Sequence, residues 1–313
     1  MSFPPPPRPT DLNWLAEIPV TQATARLVPL RPWRHPPDLG VAVRGTVGKA
    51  LFDIVCVRDD RACTTCDHRA SCLIPQWYDP NRVGGAAPRP FALSVRRDDR
   101  VLVIEFTFTG VLPRHTAFVD ALLRAAALGF GPEESRVPCV VDRLQVQGTG
   151  APVVVVADGR VVGSWPTPAP LSRFVLFPYG GHQGADVTYR SDHWADIYLQ
   201  QADLGDGAPP SFEALVMASA RRVRLLYRTL TGRPLQRWWD ASKVSGHWHG
   251  ERVEGSRWSQ RQGERVSLSG YSGVLRVGPG VHEFVDLLGA VEVLGTGKNT
   301  TTGCGRVAVK WMP

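Results

Sequence analysis

The order of predicted strands and helices in the first half of the chain is the feature that most restricts its fold. Apolar patterning indicates a strand at residues 23–30, a helix at 41–55, strands at 91–95 and 101–109, a helix at 116–128 and a strand at 137–146. This order is the split βαβ, or ferredoxin-like, pattern. We therefore predict an α+β domain with an antiparallel sheet.

The second half repeats this pattern less clearly. The predicted elements are a hairpin at residues 153–162 that turns at Asp158-Gly159, a strand at 171–177, a long loop at 179–210, a helix at 212–229, strands at 264–268 and 273–277, a short helix at 281–288 and a final strand at 303–311. A chain of 313 residues suits two domains of ordinary size. We therefore predict two tandem ferredoxin-like domains, residues 1–148 and 149–313.

Arginine dominates the basic residues. The net charge is +7, the pI is about 9.3, and the chain has four lysines, Lys49, Lys243, Lys298 and Lys310. The planar guanidinium group pairs with phosphate and stacks on bases, so this bias fits a nucleic-acid partner. A GC-rich genome, which favours arginine codons, explains the same bias equally well.

Two kinds of protein are excluded by composition. No apolar run approaches the roughly 20 residues that a membrane span requires. The proline-rich segment at residues 1–10 lacks the apolar core of a signal peptide. We therefore expect a cytoplasmic protein without a membrane partner.

Four of the six cysteines lie within residues 56–72. Six, two and five residues separate the four positions Cys56, Cys63, Cys66 and Cys72. Two cysteines with two residues between them reach one ion from a tight turn, and the flanking pair completes a tetrahedral set. Zinc in a closed, structural site is the first interpretation, with no catalytic metal. An iron–sulfur cluster uses the same ligands, and reduced structural cysteines without metal are the third interpretation.

A glycine-rich segment at residues 295–306 precedes the last predicted strand. Glycines allow backbone amides to approach phosphate closely, and a lysine and an arginine add charge. The segment is not a Walker A loop, because Glu292 and Asn299 stand where that motif needs glycine and Ser or Thr. A plain connection is the alternative. The candidate RNA-binding residues here are Gly295, Gly297, Lys298, Asn299, Gly303, Gly305 and Arg306.

A third segment interleaves basic and aromatic residues. Arg257 and Arg261 flank Trp258, and His247-Trp248-His249 precedes them. Bases stack on aromatic faces while arginine contacts the RNA backbone, so this composition suits RNA. An amphipathic strand end with solvated arginines is the alternative.

Together these segments resemble the CRISPR-associated endoribonucleases of the RAMP superfamily, which cut precursor CRISPR RNA within its repeats. The matching stretches are Val43–Leu51 (VRGTVGKAL, with Arg44), the cysteine knuckle up to Tyr78, Arg257–Gln262 and the glycine-rich segment. The resemblance implies two tandem ferredoxin-like domains with a four-cysteine metal knuckle inserted in the first. It also implies that CRISPR repeat RNA is held across both domains and cut without metal.

That reaction needs three groups. The ribose 2′-hydroxyl attacks its neighbouring phosphate and leaves a 2′,3′-cyclic phosphate, so a base, a phosphate-stabilising cation and an acid are required. The family often places its histidine near the first helix, which makes His35 and His68 candidates. Their alternatives are an exposed loop residue for His35 and a spare metal ligand or surface residue for His68. Lys49 is the third catalytic candidate, since it stands where relatives often have histidine before the Ala-Leu pair.

Two other functions remain open from the sequence. The chain could be a non-catalytic subunit that stays on the crRNA 3′ hairpin within an interference complex, with other CRISPR subunits as partners. It could also be a metal-knuckle nucleic-acid-binding protein outside CRISPR systems, which the glycine-rich segment argues against.

Overall fold

The computed structural model describes residues 9–33, 39–83, 88–98, 100–131, 133–175, 194–205, 207–259 and 264–312. These residues form two compact units. One consists of Val20–Ala169 with Thr301–Gly303, and the other of the described parts of Met1–Pro19, Pro170–Thr300 and Cys304–Pro313. We call them the first and the second unit. The limits 1–148 and 149–313 stay a prediction for independently folding domains.

The first unit is built on a mixed helix and sheet arrangement. Its first elements are β1 (Pro19–Pro29), α1 (Leu39–Val55), β2 (Phe91–Asp98), β3 (Val101–Thr109), α2 (His115–Leu128) and β4 (Cys139–Gln147). The strands are antiparallel and lie in the order β2-β3-β1-β4. This is the strand order of the split βαβ pattern. The elements predicted for residues 23–146 are thereby confirmed.

A hairpin extends this sheet. The strands β5 (Val153–Ala157) and β6 (Arg160–Val161) continue it beyond β4, and β7 (Ala169–Pro170) pairs with β1. Asp158 and Gly159 both have positive φ, 48° and 73°. Two such residues form the turn that best matches the twist of a hairpin, so the predicted turn is confirmed.

The second unit repeats the strand order. Its elements are β8 (Trp194–Ala202), α3 (Phe212–Thr231), β9 (Gly246–Val253), β10 (Ser256–Ser259), β11 (Glu264–Ser267), β12 (Gly270–Val277), α4 (Val285–Leu294) and β13 (Arg306–Met312). The main sheet is antiparallel with the order β13-β8-β12-β9. The strands β10 and β11 form a separate two-stranded ribbon between β9 and β12.

Two sequence predictions for this unit are wrong. Residues 171–173 form a 3-10 turn instead of a strand, and Leu171 and Val175 are nevertheless buried. Residues 194–202, predicted as loop, form β8, while residues 176–193 lie outside the described part of the chain. The apolar pattern therefore identified burial correctly but assigned it to the wrong backbone geometry.

Short helical turns connect the larger elements. They are Pro9–Glu17, Cys63–Thr65, Asp67–Ala70, Ile74–Tyr78, Pro80–Val83, Glu133–Ser135, Leu171–Arg173, Val281–Phe284 and Thr300–Thr302, of which Ile74–Tyr78 is a π-helix. None of the described helices combines the length and apolar composition needed to cross a membrane.

Candidate nucleic-acid interface

Tyr78, which ends the cysteine segment, is packed on helix α1. It is buried, stacks on Phe91 at 5.4 Å, and its hydroxyl donates to the Arg44 carbonyl. The Arg44 guanidinium lies over its ring, 5.5 Å from the centroid. Burial raises the pKa of Tyr78 to about 12 and lowers the pKa of Arg44. The predicted RNA ligand Arg44 is therefore placed in a packed environment, and its role in RNA binding stays a prediction.

Gly48 makes this packing possible, and we expect Gly48→Ala to destabilise the fold. A Cβ at this position would lie 2.8 Å from the Tyr78 ring. Overpacking of this kind costs about 1–3 kcal/mol, measurable as a lower free energy of unfolding in urea. Gly45 on the same helix is the matched control, because a Cβ there meets nothing within 4 Å. Gly45→Ala should stabilise by roughly 0.5–1 kcal/mol. Equal effects of the two substitutions would contradict the packing role of Gly48.

The cysteine segment lines one cavity of the first unit. All four cysteines of the segment and His68 contribute to its wall, and the cavity volume is about 140 Å³. Four arginines also line it, namely Arg58, Arg61, Arg69 and Arg114. The spacing therefore brings the predicted metal ligands to one place, next to a concentration of positive charge.

The chemistry of this donor set suits zinc, but the side chains are not arranged around an ion. The Sγ atoms of Cys56 and Cys63 lie 3.5 Å and 3.8 Å from the carbonyl oxygens of Arg58 and Arg61. In the described part of the chain, no group of three or more His, Cys, Asp or Glu side chains has a metal-holding arrangement. Burial, with the nearby thiols of Cys72 and Cys56, raises the pKa of Cys63. Zinc at this position stays a prediction.

The three catalytic candidates have different positions. His68 lies exposed in the turn Asp67–Ala70 and lines the cysteine cavity. Lys49 is exposed on α1 and is not among the residues lining that cavity. His35 lies outside the described residues, four positions before the start of α1. The structure therefore brings His68 together with the cysteines and leaves Lys49 outside the residues that line their cavity.

The glycine-rich loop is held by backbone hydrogen bonds, both within the loop and to β8 and the residue after it. The amides of Thr296, Lys298 and Gly305 donate to the carbonyls of Gly305, Asp203 and Gln200 at 2.8–3.0 Å. Gly305 has φ +71°, and a Cβ there would lie 1.9 Å from the Thr296 carbonyl oxygen. Positive φ also occurs at Gly295, Gly297, Asn299 and Gly303. The amides of Gly295 and Cys304 also donate, to Val291 and Asn299. At least five amides of the segment are thus used within the protein, which restricts a phosphate nest to the remaining part of the loop.

Side chains of helix α3 form hydrogen bonds with this loop and with the end of α4. The Ser219 hydroxyl lies 2.8 Å from the hydroxyl of the fully buried Thr296. Arg222 Nε donates to the Leu294 carbonyl at 3.0 Å, and burial lowers its pKa to about 10. Lys298 remains 62% exposed, although its Nζ lies 3.2 Å from Asp203 Oδ2. Lys298 and Arg306 are therefore exposed cations on a fixed backbone.

The outer face of the second sheet carries residues that sequence analysis missed. Directly paired residues in antiparallel strands share one face. The register aligns one row across β13, β8, β12 and β9, made of Lys310, Asp196, Arg276 and His247. The next row along contains Tyr198 beside Val274 and His249, and Tyr198 is 42% exposed. Predicting β8 as loop removed Tyr198 and Asp196 from consideration.

Arg276 forms an ion pair with Asp196 on this face. Its guanidinium makes two hydrogen bonds to Asp196, with Nε–Oδ1 2.8 Å and Nη2–Oδ2 3.0 Å. This bidentate contact holds the pKa of the Asp196 carboxyl below its usual range. The exposed Lys310 and His247, at the ends of the row, complete a surface with both aromatic and basic groups.

The outer face of the first sheet has a matching basic row. Across β2, β3, β1 and β4 the register aligns Arg96, Val103, Arg26 and Arg143. Arg26 Nε lies 3.2 Å from Asp142, and Arg96 Nε lies 3.7 Å from Glu105. Directly opposed arginines are unfavourable in a sheet, and the ion pair of Arg26 with Asp142 offsets this contact between Arg26 and Arg143.

The third sequence segment is divided between two elements: His247-Trp248-His249 lies on β9, and Arg257 lies on the ribbon of the second unit. Arg257 is half-buried on β10 and pairs with Val266 of β11. Arg261 lies outside the described residues. The RNA-binding roles predicted for both arginines stay predictions.

Comparison with known proteins gives a partial match in sequence. The family model described as AF_1859_N, N-terminal domain, matches residues 18–165. No curated protein matches the chain.

Solved structures match along nearly the whole chain. A Cas6 product complex from Thermus thermophilus has a TM-score of 0.50 and 13% identity, covering 93% of this chain and 99% of that one. A product complex of a second Cas6 protein has a TM-score of 0.46, 16% identity and coverage of 92% and 99%. A Cas6-related protein from Pyrococcus furiosus has a TM-score of 0.43, 9% identity and coverage of 93% and 98%. The resemblance inferred from the sequence motifs is confirmed at the level of the fold, and the chain has the fold of the Cas6 proteins.

Proposed function

We propose that this protein binds CRISPR repeat RNA and cuts it to crRNA by attack of a ribose 2′-hydroxyl, without metal in the reaction. The observation that carries the proposal is the repeated split βαβ strand order, found along the chain in a fold shared with a Cas6 product complex. On this proposal the two units are tandem ferredoxin-like domains of a cytoplasmic Cas6 protein.

The charged faces of the two sheets support an RNA ligand. Each sheet carries a row with at least two cationic side chains on its outer face, and the second sheet adds the exposed Tyr198. Phosphate contacts supply most of the affinity for a nucleic acid, and aromatic rings supply stacking surfaces for unpaired bases. This combination favours RNA with unpaired nucleotides over a uniformly double-stranded ligand.

The reaction itself can be tested through its product ends. Purified protein is incubated with its own repeat RNA in EDTA, and the products are analysed for a 2′,3′-cyclic phosphate and a 5′-hydroxyl. We expect both ends, because the 2′-hydroxyl is the nucleophile and no metal takes part. A repeat RNA with a 2′-deoxy residue at the cleavage position is the control and should stay intact. Tight binding without cleavage would instead favour the non-catalytic subunit that remains on the crRNA 3′ hairpin, with other CRISPR subunits as partners.

Replacing Lys298 and Arg306 together with alanine should weaken repeat-RNA binding and flatten its salt dependence. Each lost phosphate contact lowers the slope of log affinity against log salt by about 0.7–0.9. The matched control is Lys243→Ala with Arg160→Ala, which removes the same charge from exposed positions elsewhere. A slope equal to that of the control variant would exclude the glycine-rich loop from the RNA site.

We also propose that Cys56, Cys63, Cys66 and Cys72 bind one structural zinc ion. The support is their common cavity and their four thiol donors. Elemental analysis should find about one zinc per chain, whereas iron with inorganic sulfide would identify a cluster instead. Cys63→Ser should remove the metal and lower the melting temperature, while Cys139→Ser, outside the segment, should keep the metal. A fully stable, metal-free preparation would contradict the proposal.

A further inference from the structure

Trp238 is unusually exposed for a tryptophan. It lies in the irregular segment after α3, and 73% of its surface is accessible. It borders an open groove of about 660 Å³ in the second unit, together with Trp14, Tyr227, Arg233 and Arg237. A single exposed ring is common on protein surfaces, but a ring that borders a groove offers a stacking surface to a flat ligand.

One side of the Trp238 ring is covered by a cation. The Arg224 guanidinium carbon lies 5.0 Å from the ring centroid. Arg224 Nη2 also donates to the Arg237 carbonyl at 2.9 Å, which fixes the guanidinium in place. A cation over an aromatic face is a favourable contact. Arg224 therefore covers one face of the Trp238 ring. The other face is available to a flat ligand.

The two residues that flank Trp238 in the sequence are both anchored by hydrogen bonds. Arg237 Nε and Trp239 Nε1 each donate to the buried Asp286 at 3.0 Å. Trp14 Nε1 donates to the same carboxylate at 3.3 Å. Because the residues before and after Trp238 are fixed, the exposed ring is preorganised and loses little freedom when a ligand binds.

Guanidinium groups line and surround the groove, and two of them are paired with carboxylates. Arg233 is 66% exposed in its side chain and pairs with Glu17 at the edge of the groove. Arg237 and Arg224 add two further guanidinium groups, and Arg228 is exposed on the last turn of α3. A flat ring flanked by cations matches a nucleotide, whose base stacks and whose phosphate is anionic.

We propose that Trp238 is a stacking site for one unpaired nucleotide of the bound RNA, with the exposed Arg233 of the groove contacting its phosphate. The proposal rests on the proposed RNA-binding function and adds a subsite to it. An apolar protein partner would also cover an exposed ring. The surrounding guanidinium groups favour the nucleotide, because they would lose hydration against an apolar surface without gaining an anion.

The test compares three variants by RNA affinity. Trp238→Ala should weaken binding of repeat RNA with single-stranded flanks roughly 5- to 100-fold, the range for loss of one stacked base. Trp238→Phe keeps an aromatic ring and should stay close to wild type. Met217→Ala is the matched control, since Met217 is an exposed apolar residue (58%) on α3. Circular dichroism checks that each variant keeps its melting temperature, as expected for a side chain exposed to 73%.

Abasic substitutions locate the nucleotide. Flank positions of the RNA are made abasic one at a time, and one of them should abolish the difference between wild type and Trp238→Ala. Equal affinity of Trp238→Ala and wild type for every RNA would overturn the proposal and would point to a protein partner for this groove.

A second probe separates failure of the subsite from failure of the proposed function. Oligouridylate is titrated beside the repeat RNA. If wild type binds and cuts the repeat RNA but Trp238→Ala matches it, only the subsite is wrong. If wild type binds oligouridylate in a Trp238-dependent way but does not prefer the repeat RNA, the subsite holds and the repeat-specific function is wrong. If wild type binds neither RNA, both proposals are overturned.

Discussion

His35→Ala is expected to slow single-turnover cleavage of repeat RNA by roughly 10²–10⁴, the usual contribution of a positioned general acid or base. RNA affinity should stay near wild type, because a general acid or base acts on the reacting atoms in the transition state and not on binding of the RNA. His35 stands between Arg34 and Pro36 in the sequence, four positions before α1 begins. The resemblance to repeat-cutting endoribonucleases implies a catalytic histidine near this helix.

The experiment includes His68→Ala and Lys49→Ala under identical conditions in EDTA. Both side chains are exposed, so neither change should unfold the protein. A slow His68→Ala with a normal His35→Ala would move the active site to the cysteine cavity, where Arg58 and Arg61 could bind the scissile phosphate. Three variants as fast as wild type would show that the catalytic assignment is wrong.

Among the substitutions proposed for this protein, Asp286→Ala is expected to cause the largest decrease in the free energy of unfolding. The carboxylate is fully buried at the start of α4 and accepts from Trp14, Arg237 and Trp239 at 3.0–3.3 Å. Its removal leaves three donors without an acceptor and a largely buried guanidinium without its counter-charge. Loss of one partner of a buried ion pair costs about 3–5 kcal/mol, and the melting temperature should fall by on the order of 10 °C.

Asp286→Asn separates charge from hydrogen bonding. The amide oxygen still accepts a hydrogen bond, while the amide group offers donors to a site that already has three. We expect an intermediate stability between wild type and Asp286→Ala. The exposed Asp240→Ala serves as the control for removing an acid from the same region. Urea unfolding curves measure all three, and a cost for Asp286→Ala no larger than for Asp240→Ala would contradict the buried network.

The first unit was predictable because its apolar residues alternate or recur at helical spacing. Ala23, Ala25 and Leu27 of β1 and Val43, Val47 and Leu51 of α1 are all buried in one cluster. Each predicted element in residues 23–146 has one face against this core. Where burial alone decides which face of an element points inward, the periodicity of the sequence is enough to identify the element.

The second unit contains strands that the apolar pattern of the sequence does not predict. In β8 the inward residues Ile197 and Leu199 alternate with Tyr198 and Gln200, but surrounding glycine and aspartate obscured this short pattern. In β9, at the edge of the sheet, no residue is buried, so its alternation between half-buried and exposed residues is weak. Edge strands are held by backbone pairing with a neighbour, which leaves little trace in side-chain composition.

For the candidate site, the sequence identified segments of candidate residues, but it did not predict which distant residues contact each segment. The cysteine spacing predicted a metal site; the four cysteines line one cavity, and the metal itself stays a prediction. The glycine-rich loop was identified, but the use of its amides by Asp203 and Gln200 depends on strands far away in the sequence. The basic rows on the sheet faces depend on strand register, which single-sequence patterns do not supply.

The ribbon formed by β10 and β11 has a consequence for how this fold can diversify. Strands β9 and β12 already pair Val253 with Gly270, so the chain leaves the sheet and returns to it at adjacent positions. None of the ribbon side chains that the structure describes is buried. A module attached in this way can change in length or sequence without disturbing the core that carries it. Exchange of residues 256–267 between relatives would therefore be a simple evolutionary route to a different surface on an unchanged scaffold.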